Sequence, residues 1–249
     1  MDMKEYLSTH FVVVGHRGLP SVYIENTYTS FEKAFEYTDL VELDIHLSRD
    51  NHAYVIHDFN LKNITGLNKV IENLRSYEID EIKIENEKIP SLEYILKNFP
   101  DKYFFIELKT IDDSGNLIKN DIEKEAIRII KKYKMEKHVC IISFNPYSLR
   151  NTHVLDMDIF LGLDYAETSE KYMGKIRYED LHEMGISVYL PEYSAKNLPE
   201  FIDLRNKGIY IIPWTVNDEK SANEIYSSNL NGFITNKVDF LSKFQKETI

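Results

Sequence analysis

The segment Leu-Val-Glu-Leu-Asp-Ile-His-Leu at residues 40–47 decides how the rest of the chain is interpreted. It is a mostly apolar run of strand length that carries carboxylates at Glu42 and Asp44. Side chains two residues apart on a strand point to the same face, so these two carboxylates are predicted to project together. Leu43, which lies between them, is then predicted to face a covering layer of helices.

Similar short β-branched and aromatic runs recur on both sides of this segment, separated by longer stretches with helical apolar spacing. The predicted strands are Phe11–Gly15, Leu40–Leu47, Tyr103–Leu108, Val139–Ser143, Ile159–Leu163, Ile186–Leu190, Tyr210–Pro213 and Phe233–Thr235. The predicted helices are Asn26–Tyr37, Ser91–Phe99, Asp121–Lys134, Pro146–Leu155, Tyr178–Met184, Leu198–Lys207, Asp218–Ser227 and Val238–Lys246. Strand–helix units repeated in this order predict an α/β fold, a closed (β/α)₈ TIM barrel, for which 249 residues is a usual length.

The region between the second and third predicted strands departs from this alternation. Ala53–His57 is predicted to be an extra strand that pairs back across a turn at Asp50–Asn51. The stretch Lys69–Lys88 is charged and weakly periodic. We therefore expect a single domain over residues 1–249, with a small surface insertion at about residues 58–100 rather than a second domain.

The amino-acid composition restricts the possible binding partners and the cellular compartment of the protein. The chain has 30 Lys and Arg against 41 Asp and Glu, a net charge of −11, which argues against a general nucleic-acid or anionic-membrane binder. Cys140 is the only cysteine, so no intrachain disulfide can form. The apolar run Phe11–Val14 is too short for a membrane span or a secretory segment. We expect a cytoplasmic protein without a stable membrane anchor.

Polar residues close several of the predicted strands, where a barrel of this type forms a common pocket. They occur as Gly15-His16-Arg17-Gly18, Glu42-Leu43-Asp44, His57-Asp58 and Glu107-Leu108-Lys109. Glu42, Asp44 and Glu107 would form an acidic cluster that repels itself unless a cation lies among them. Ligands that are all oxygen atoms favour Mg²⁺ or Ca²⁺ over zinc. For any one of these carboxylates alone, a solvated or salt-bridged surface group is an equally good interpretation, and a lone His16 or His57 is more often a hydrogen-bonded structural histidine than a catalytic one.

The residues beside these motifs have further interpretations. Asn26 is interpreted as the N-cap of the helix that follows it, and Glu25 as a contact of the metal or of a guanidinium group. His46 is interpreted as a structural or supporting residue. Asp58 either orients the preceding histidine or caps the turn. Trp214 either lines the substrate pocket or fills space at the barrel rim.

The order of the motifs resembles that of the glycerophosphodiester phosphodiesterase family. The resemblance rests on HRG at 16–18, ENT at 25–27, ExD at 42–44, HD at 57–58, ExK at 107–109, Ser143-Phe144, Trp214–Asn217 and Asn231–Thr235. Each motif is weak alone, but together they span nearly the whole chain in a consistent order. The chain departs from the family pattern at Asn231 and Asn236, where aspartates are often seen, which leaves the alcohol specificity open.

The resemblance implies metal-dependent hydrolysis of a small-molecule glycerophosphodiester to glycerol 3-phosphate and an alcohol. A neighbouring glycerol hydroxyl would attack phosphorus first, and water would then open the cyclic phosphate. The implied roles are acid/base catalysis by His16 and His57, metal binding by Glu42, Asp44 and Glu107, and phosphate binding by Arg17 and Lys109. Phosphodiester cleavage requires charge neutralisation, proton removal and proton donation, all of which this set can supply.

Two alternatives remain at the level of the sequence. One is another phosphodiester-cleaving barrel, such as a phospholipase-D-like enzyme, which we expect to need an apolar rim or a basic surface. The other is a non-catalytic barrel that binds phosphate esters. Assays on soluble glycerophosphodiesters and on lipid vesicles separate them.

Overall fold

Eight parallel strands form the barrel in the computed structural model, which describes residues 1–112, 114–170, 174 and 177–247. The strands are β1 His10–His16, β2 Leu40–Leu47, β3 Ala53–Val55, β4 Lys83–Ile84, β5 Glu87–Lys88, β6 Tyr103–Leu108, β7 Val139–Ser143, β8 Phe160–Tyr165, β9 Val188–Pro191, β10 Tyr210–Ile211, β11 Gly232–Thr235 and β12 Lys246–Glu247. The barrel order is β10-β9-β8-β7-β6-β2-β1-β11, and each neighbouring pair is parallel. The Ile234 N–H donates to the Pro213 carbonyl at 2.9 Å and links the two ends. The predicted TIM barrel is confirmed.

Helices alternate with the barrel strands and cover them. They are α1 Met3–Thr9, α2 Tyr28–Ala34, α3 Lys62–Thr65, α4 Ser76–Ile79, α5 Leu92–Asn98, α6 Ile122–Lys132, α7 Pro146–Leu155, α8 Tyr178–Glu183, α9 Leu198–Asn206, α10 Glu219–Ser227 and α11 Val238–Leu241. Within the described part of the chain, none of them has the length and apolar character that crossing a membrane requires.

Most predicted strands agree closely with the observed ones. The bounds of β2, β6 and β7 are those predicted, and β3 pairs antiparallel with β2 as expected. Asn51 in the turn between them has φ of 61°, a left-handed conformation that asparagine tolerates. The main difference is β8, which is Phe160–Tyr165 rather than Ile159–Leu163 and so includes Asp164.

The insertion after β3 contains short elements that the sequence did not predict. It holds α3, a 3₁₀ turn at Ile71–Asn73, α4 and the β4–β5 hairpin. Together with Tyr54 and Ile56, which precede it, its apolar side chains form a separate small cluster, made of Leu61, Ile71, Leu74, Ile79, Ile82, Ile84 and Ile89. The helix α5, near the end of the predicted 58–100 region, returns the chain to the barrel.

Both ends of the chain close the amino-terminal side of the barrel, which the sequence did not predict. The Asp2 side chain caps α1 by accepting a hydrogen bond from the Glu5 N–H at 2.8 Å. Met3, Tyr6 and Leu7 of α1 pack beneath the strands. The predicted helix Val238–Lys246 is wrong in its second half, because β12 pairs antiparallel with the start of β1 instead.

The strands separate two apolar layers according to the alternation of their side chains. The inner layer, inside the barrel, includes Val12, Val14, Phe105 and Ile142. The outer layer, between strands and helices, includes Leu43, as predicted. Above the inner apolar layer, the strands present polar side chains at their carboxyl ends, where the site lies.

The inner layer supports the strand ends above it, so its loss is expected to be costly. Phe105 is fully buried, and Phe105→Ala is expected to lower the free energy of unfolding by about 3–5 kcal/mol because it leaves a cavity. Urea denaturation measures the change. Phe240 is 51% exposed, and Phe240→Ala as the matched control should cost below about 1 kcal/mol. Equal losses in the two variants would contradict this account of the core.

Candidate active site

Three carboxylates from two adjacent strands converge inside the mouth of the barrel. Glu42 and Asp44 lie on β2, and Glu107 lies on β6 directly opposite Asp44 in the strand register. Each residue places one oxygen within 4.8 Å of the others, and all three are buried. The structure therefore brings together the three residues that the sequence suggested as metal ligands.

Two cationic side chains lie among these carboxylates. The Lys109 ammonium is 2.9 Å from Asp44 Oδ1 and 2.8 Å from Glu107 Oε1. The Arg17 guanidinium Nε is 3.2 Å from Asp44 Oδ2, and the Arg17 backbone N–H donates to Glu42 Oε2 at 3.0 Å. Both side chains suggested for phosphate binding thus lie at the carboxylate cluster.

The pKa values of the three carboxyls shift in different directions within this buried cluster. Burial, followed by the nearby Asp44, raises the pKa of Glu42 well above its usual range. Burial also raises the pKa of Glu107 to about 7. Burial acts to raise the pKa of Asp44 too, but Lys109 and Arg17 outweigh it and hold that pKa well below its usual range. A divalent cation fits this set, because buried carboxylate oxygens are the ligands that Mg²⁺ and Ca²⁺ prefer.

His16 lies at the end of β1 with a defined orientation. Its Nδ1 donates a hydrogen bond to the Asn236 side-chain oxygen at 2.6 Å, which leaves Nε2 facing the carboxylates, 3.9 Å from Glu42. Burial and then the neighbouring Arg17 lower the pKa of His16 to about 4. The imidazole is therefore neutral at neutral pH, with Nε2 able to accept a proton.

His57 follows β3 and is held by different partners. Its Nδ1 lies 2.8 Å from Asp58 Oδ1, and Asp58 Oδ2 also accepts from the Asn63 side-chain amide at 2.9 Å. His46 Nε2 donates to the His57 backbone carbonyl at 2.9 Å. Burial and then Lys109 lower the pKa of His57, while the Asp58 carboxylate acts to raise it. Asp58 therefore contacts His57 directly, and His46 supports the same loop.

The interpretation of Asn26 as a helix cap is wrong. Thr27 is the N-cap, and its hydroxyl accepts a hydrogen bond from the Ser30 N–H. Asn26 is fully buried, and its side-chain amide donates to Asp44 Oδ2 at 2.8 Å. Because a hydroxyl caps as well as an amide does, the sequence alone could not separate the two residues. Glu25 binds the Arg17 guanidinium at 2.9 Å, one of its two expected partners.

Two adjoining cavities open at these residues. The smaller, of about 130 Å³, is lined by His16, Arg17, Glu42, His57, Glu107, Lys109, Phe144, Asp164, Trp214 and Ile234. The larger, of about 310 Å³, continues to Ile111 and Thr168. The residues that line both cavities are His57, Glu107, Lys109, Phe144 and Trp214. His16 thus faces only the smaller cavity, whereas His57 lies at the junction of both.

Downstream motifs form the opposite wall. The Trp214 indole N–H donates to the Leu190 carbonyl at 2.7 Å, and its ring meets Phe144 edge-on at 5.7 Å. Trp214 therefore both lines the cavities and packs at the rim. Asn217 accepts a hydrogen bond from the Asn236 N–H at 2.9 Å, which holds the residue that orients His16.

Asp164 is a site residue that the sequence analysis missed. It lies near the carboxyl end of β8, is buried, and lines the smaller cavity. The signal was available, since a polar residue closing an apolar strand had been the criterion for the other site residues. It was missed because the predicted strand ended at Leu163.

Comparison with known proteins places this site in a family. The family model described as the glycerophosphoryl diester phosphodiesterase family matches residues 16–240, which include every residue of the carboxylate and histidine set. A glycerophosphodiester phosphodiesterase of Caldanaerobacter subterraneus subsp. tengcongensis is 28% identical over 243 residues, covering 92% of this chain and 96% of that protein.

Solved structures agree with the sequence comparison. A glycerophosphodiester phosphodiesterase from Thermotoga maritima matches with a TM-score of 0.77 and 27% identity, over 93% of this chain and 97% of that one. A phosphodiesterase from Oleispira antarctica, solved in complex with the product sn-glycerol-3-phosphate, matches with a TM-score of 0.77 and 20% identity, over 94% of this chain and 96% of that one. With a family model matched from His16 into helix α11, this chain belongs to the glycerophosphoryl diester phosphodiesterase family.

Proposed function

We propose that this protein hydrolyses glycerophosphodiesters to glycerol 3-phosphate and an alcohol, with a divalent cation bound by Glu42, Asp44 and Glu107. The observation that carries the proposal is the convergence of these carboxylates within 4.8 Å, in a chain that belongs to the glycerophosphoryl diester phosphodiesterase family. The sn-glycerol-3-phosphate product of the Oleispira antarctica phosphodiesterase supports the same product here.

The substrate phosphate would bind where positive charge is concentrated. Arg17 and Lys109 both line the smaller cavity, and each would contact phosphate oxygens while keeping a carboxylate neighbour. When bound, Mg²⁺ or Ca²⁺ would supply further neutralisation of the charge on the phosphoryl oxygens. In this net acidic protein, the two cations provide the local positive site that an anionic ligand needs.

The positions of the two histidines relative to the cavities support different roles. His16 faces only the smaller cavity, has a free Nε2 and stays neutral, so we assign it as the base that removes the proton from the attacking glycerol hydroxyl. His57 lies where the larger cavity begins, beside the Asp58 carboxylate that favours its protonated form. We assign it as the acid that protonates the leaving alcohol oxygen.

With these roles, the hydrolysis proceeds in two steps in which bonds and protons balance. The glycerol hydroxyl oxygen bonds to phosphorus, its proton passes to His16, the bond to the alcohol breaks, and His57 supplies a proton to that alcohol. Water then opens the cyclic phosphate with the proton transfers reversed, which restores both imidazoles and gives glycerol 3-phosphate.

The proposal also covers the domain organisation, the cellular location and the binding partner of the protein. We propose that residues 1–249 act as one domain, since the family match runs from residue 16 to residue 240 across the insertion. A cytoplasmic location is supported by Cys140, a lone and fully buried thiol that suits a reducing compartment. The partner expected is a small-molecule phosphodiester.

The metal requirement is tested by measuring glycerol 3-phosphate release from a panel of soluble glycerophosphodiesters. Chelator is expected to abolish release, and Mg²⁺ or Ca²⁺ to restore it. Glu42→Ala should lower activity at least roughly 10–100-fold, since residues that only support metal ligands already have effects of that size. Exposed Glu36 provides the control, and Glu36→Ala should retain parental activity.

Two results of this assay would favour the alternatives. Binding of glycerophosphodiesters without release of glycerol 3-phosphate would favour a non-catalytic barrel. Preferential cleavage of intact lipids in vesicles would favour a phospholipase-D-like enzyme. Full activity of the parent protein in chelator would remove the cation from the proposal.

Removal of either imidazole is expected to lower kcat by roughly 10²–10⁴-fold, because each transfers a proton in the proposed reaction. The variants are His16→Ala and His57→Ala, assayed for glycerol 3-phosphate release. His52 is exposed on the turn between β2 and β3, and His52→Ala provides a matched control with unchanged activity. Near-parental activity in both site variants would defeat the assignment of roles.

Asp58→Asn tests the role of His57 through pH dependence. The variant removes one of the carboxylates that act to raise the pKa of His57, so the protonated acid is lost at lower pH. The alkaline limb of kcat/KM is expected to shift to lower pH. The acid limb does not depend on the ionisation of His57, so it should stay in place and provides an internal control. An alkaline limb that stays in place or moves upward would mean that His57 is not the acid.

A further inference from the structure

The carboxyl group of Asp164 has no role in the reaction described above, although it faces the same cavity. Asp164 is only 4% exposed, and its Oδ2 is buried without a hydrogen-bond partner among the described residues. A buried polar group left unpaired costs about 1–3 kcal/mol. A function that requires this carboxyl would explain why an apolar residue does not stand here.

Apolar groups and a glycine surround the base of Asp164. Leu190 lies opposite it in the register with β9, and Gly162 precedes it on the same inward face. A side chain at Gly162 would meet Leu190 at 2.8 Å and Ile142 at 3.0 Å. Among the described neighbours, Gly162, Leu190 and Ile142 offer Asp164 no polar side chain, whereas the cavity above it is lined by polar groups.

The geometry separates Asp164 from both the cation site and the phosphate site. Among the described residues, the carboxylates whose oxygens cluster within 4.8 Å are Glu42, Asp44 and Glu107, without Asp164. Arg17 and Lys109 form their ion pairs with other carboxylates, and no salt bridge to Asp164 occurs in the described part of the chain. A hydroxyl group can donate a hydrogen bond to Asp164 whether its carboxyl group is ionised or neutral, so an uncharged polar group is the ligand that fits this position.

We propose that Asp164 hydrogen-bonds a hydroxyl of the glycerol moiety and thereby selects phosphate esters of polyols over those of simple alcohols. This inference rests on the proposed function, because it places the glycerol side of the substrate in the smaller cavity, which His16 also faces. Asp164 would be a specificity-determining residue and would take no part in proton transfer.

The protonation of Asp164 agrees with a hydroxyl ligand. Burial and then Glu107 raise the pKa of this carboxyl well above its usual range. A neutral carboxyl both donates and accepts a hydrogen bond, as a hydroxyl does. The carboxyl group and a ligand hydroxyl can therefore satisfy each other's hydrogen bonds.

Calorimetric binding of two ligands, each with Mg²⁺ present, tests the inference. The ligands are sn-glycerol 3-phosphate and propyl phosphate, which has a similar chain but no free hydroxyl. The parent protein is expected to bind the polyol ester more tightly by roughly tenfold. Asp164→Val, close to aspartate in shape, should lose that preference while its Kd for propyl phosphate stays unchanged. Asp164→Ala repeats the test with a smaller side chain, and Asp164→Asn should keep part of the preference.

Thermal stability separates this role from a structural one. Because the unpaired carboxyl stabilises nothing in the ligand-free protein, the Tm of Asp164→Val should be no lower than that of the parent protein. Glu123 provides a matched buried carboxyl outside the barrel, bonded to the Ser148 hydroxyl at 2.7 Å. Glu123→Gln should keep the full ligand preference.

Three results would overturn the inference. They are a parent protein without preference for the polyol ester, an Asp164 variant that keeps the full preference, and an equal loss of affinity for both ligands. A tenfold weaker affinity for Mg²⁺ in ligand-free Asp164→Val would place the carboxyl in the cation site and overturn it as well. The binding ratio needs no turnover, so it is independent of whether the parent protein releases glycerol 3-phosphate.

Discussion

Repulsion among buried carboxylates is the constraint on which the site depends. Glu42, Asp44 and Glu107 lie in the low-dielectric mouth of the barrel, where like charges interact more strongly than in water. Lys109 and Arg17 outweigh burial at Asp44 and lower its pKa, whereas burial, and then the nearby Asp44, raises the pKa of Glu42, and burial raises that of Glu107. Buried carboxylate oxygens arranged in this way suit a divalent cation. The Lys109 and Arg17 side chains also bring positive charge to the cavity beside the carboxylates.

The barrel meets this constraint through strand register and a few unusual backbone positions. Pairing of β2 with β6 places Asp44 beside Glu107. Lys109, two residues after Glu107, forms ion pairs with both carboxylates. Arg17 and Asn26 both adopt left-handed backbone conformations, with φ of 52° and 57°. This conformation is unfavourable for arginine and is tolerated by asparagine, and it occurs here where both side chains reach Asp44. Backbone strain at Arg17 is thus located at a residue that contacts the cluster.

The sequence predicted the parts of the fold that follow from side-chain alternation. Glu42 and Leu43 point to opposite faces as expected, because a buried strand has only two faces to offer. It could not predict contacts between segments far apart in the chain, such as Asn236 with His16, because no local pattern encodes them. β12 was missed for the same reason, since a two-residue strand is defined only by its partner. Asp164 was missed at a strand boundary, where propensity is least informative.

The amino-terminal helix α1 closes the amino-terminal end of the barrel, opposite the mouth, and we call this closed end the floor. Tyr6 stacks on Tyr103 at 4.4 Å, and both belong to the apolar layer inside the barrel. The candidate active site lies at the carboxyl ends of the same strands, so packing at one end of the barrel and ligand recognition at the other involve different residues. Thermal tolerance can change through the floor while the specificity of the mouth is preserved, and new specificities can arise without first compromising folding. In laboratory evolution of this protein, stabilising substitutions in α1 would offset the loss of stability caused by substitutions around the pocket.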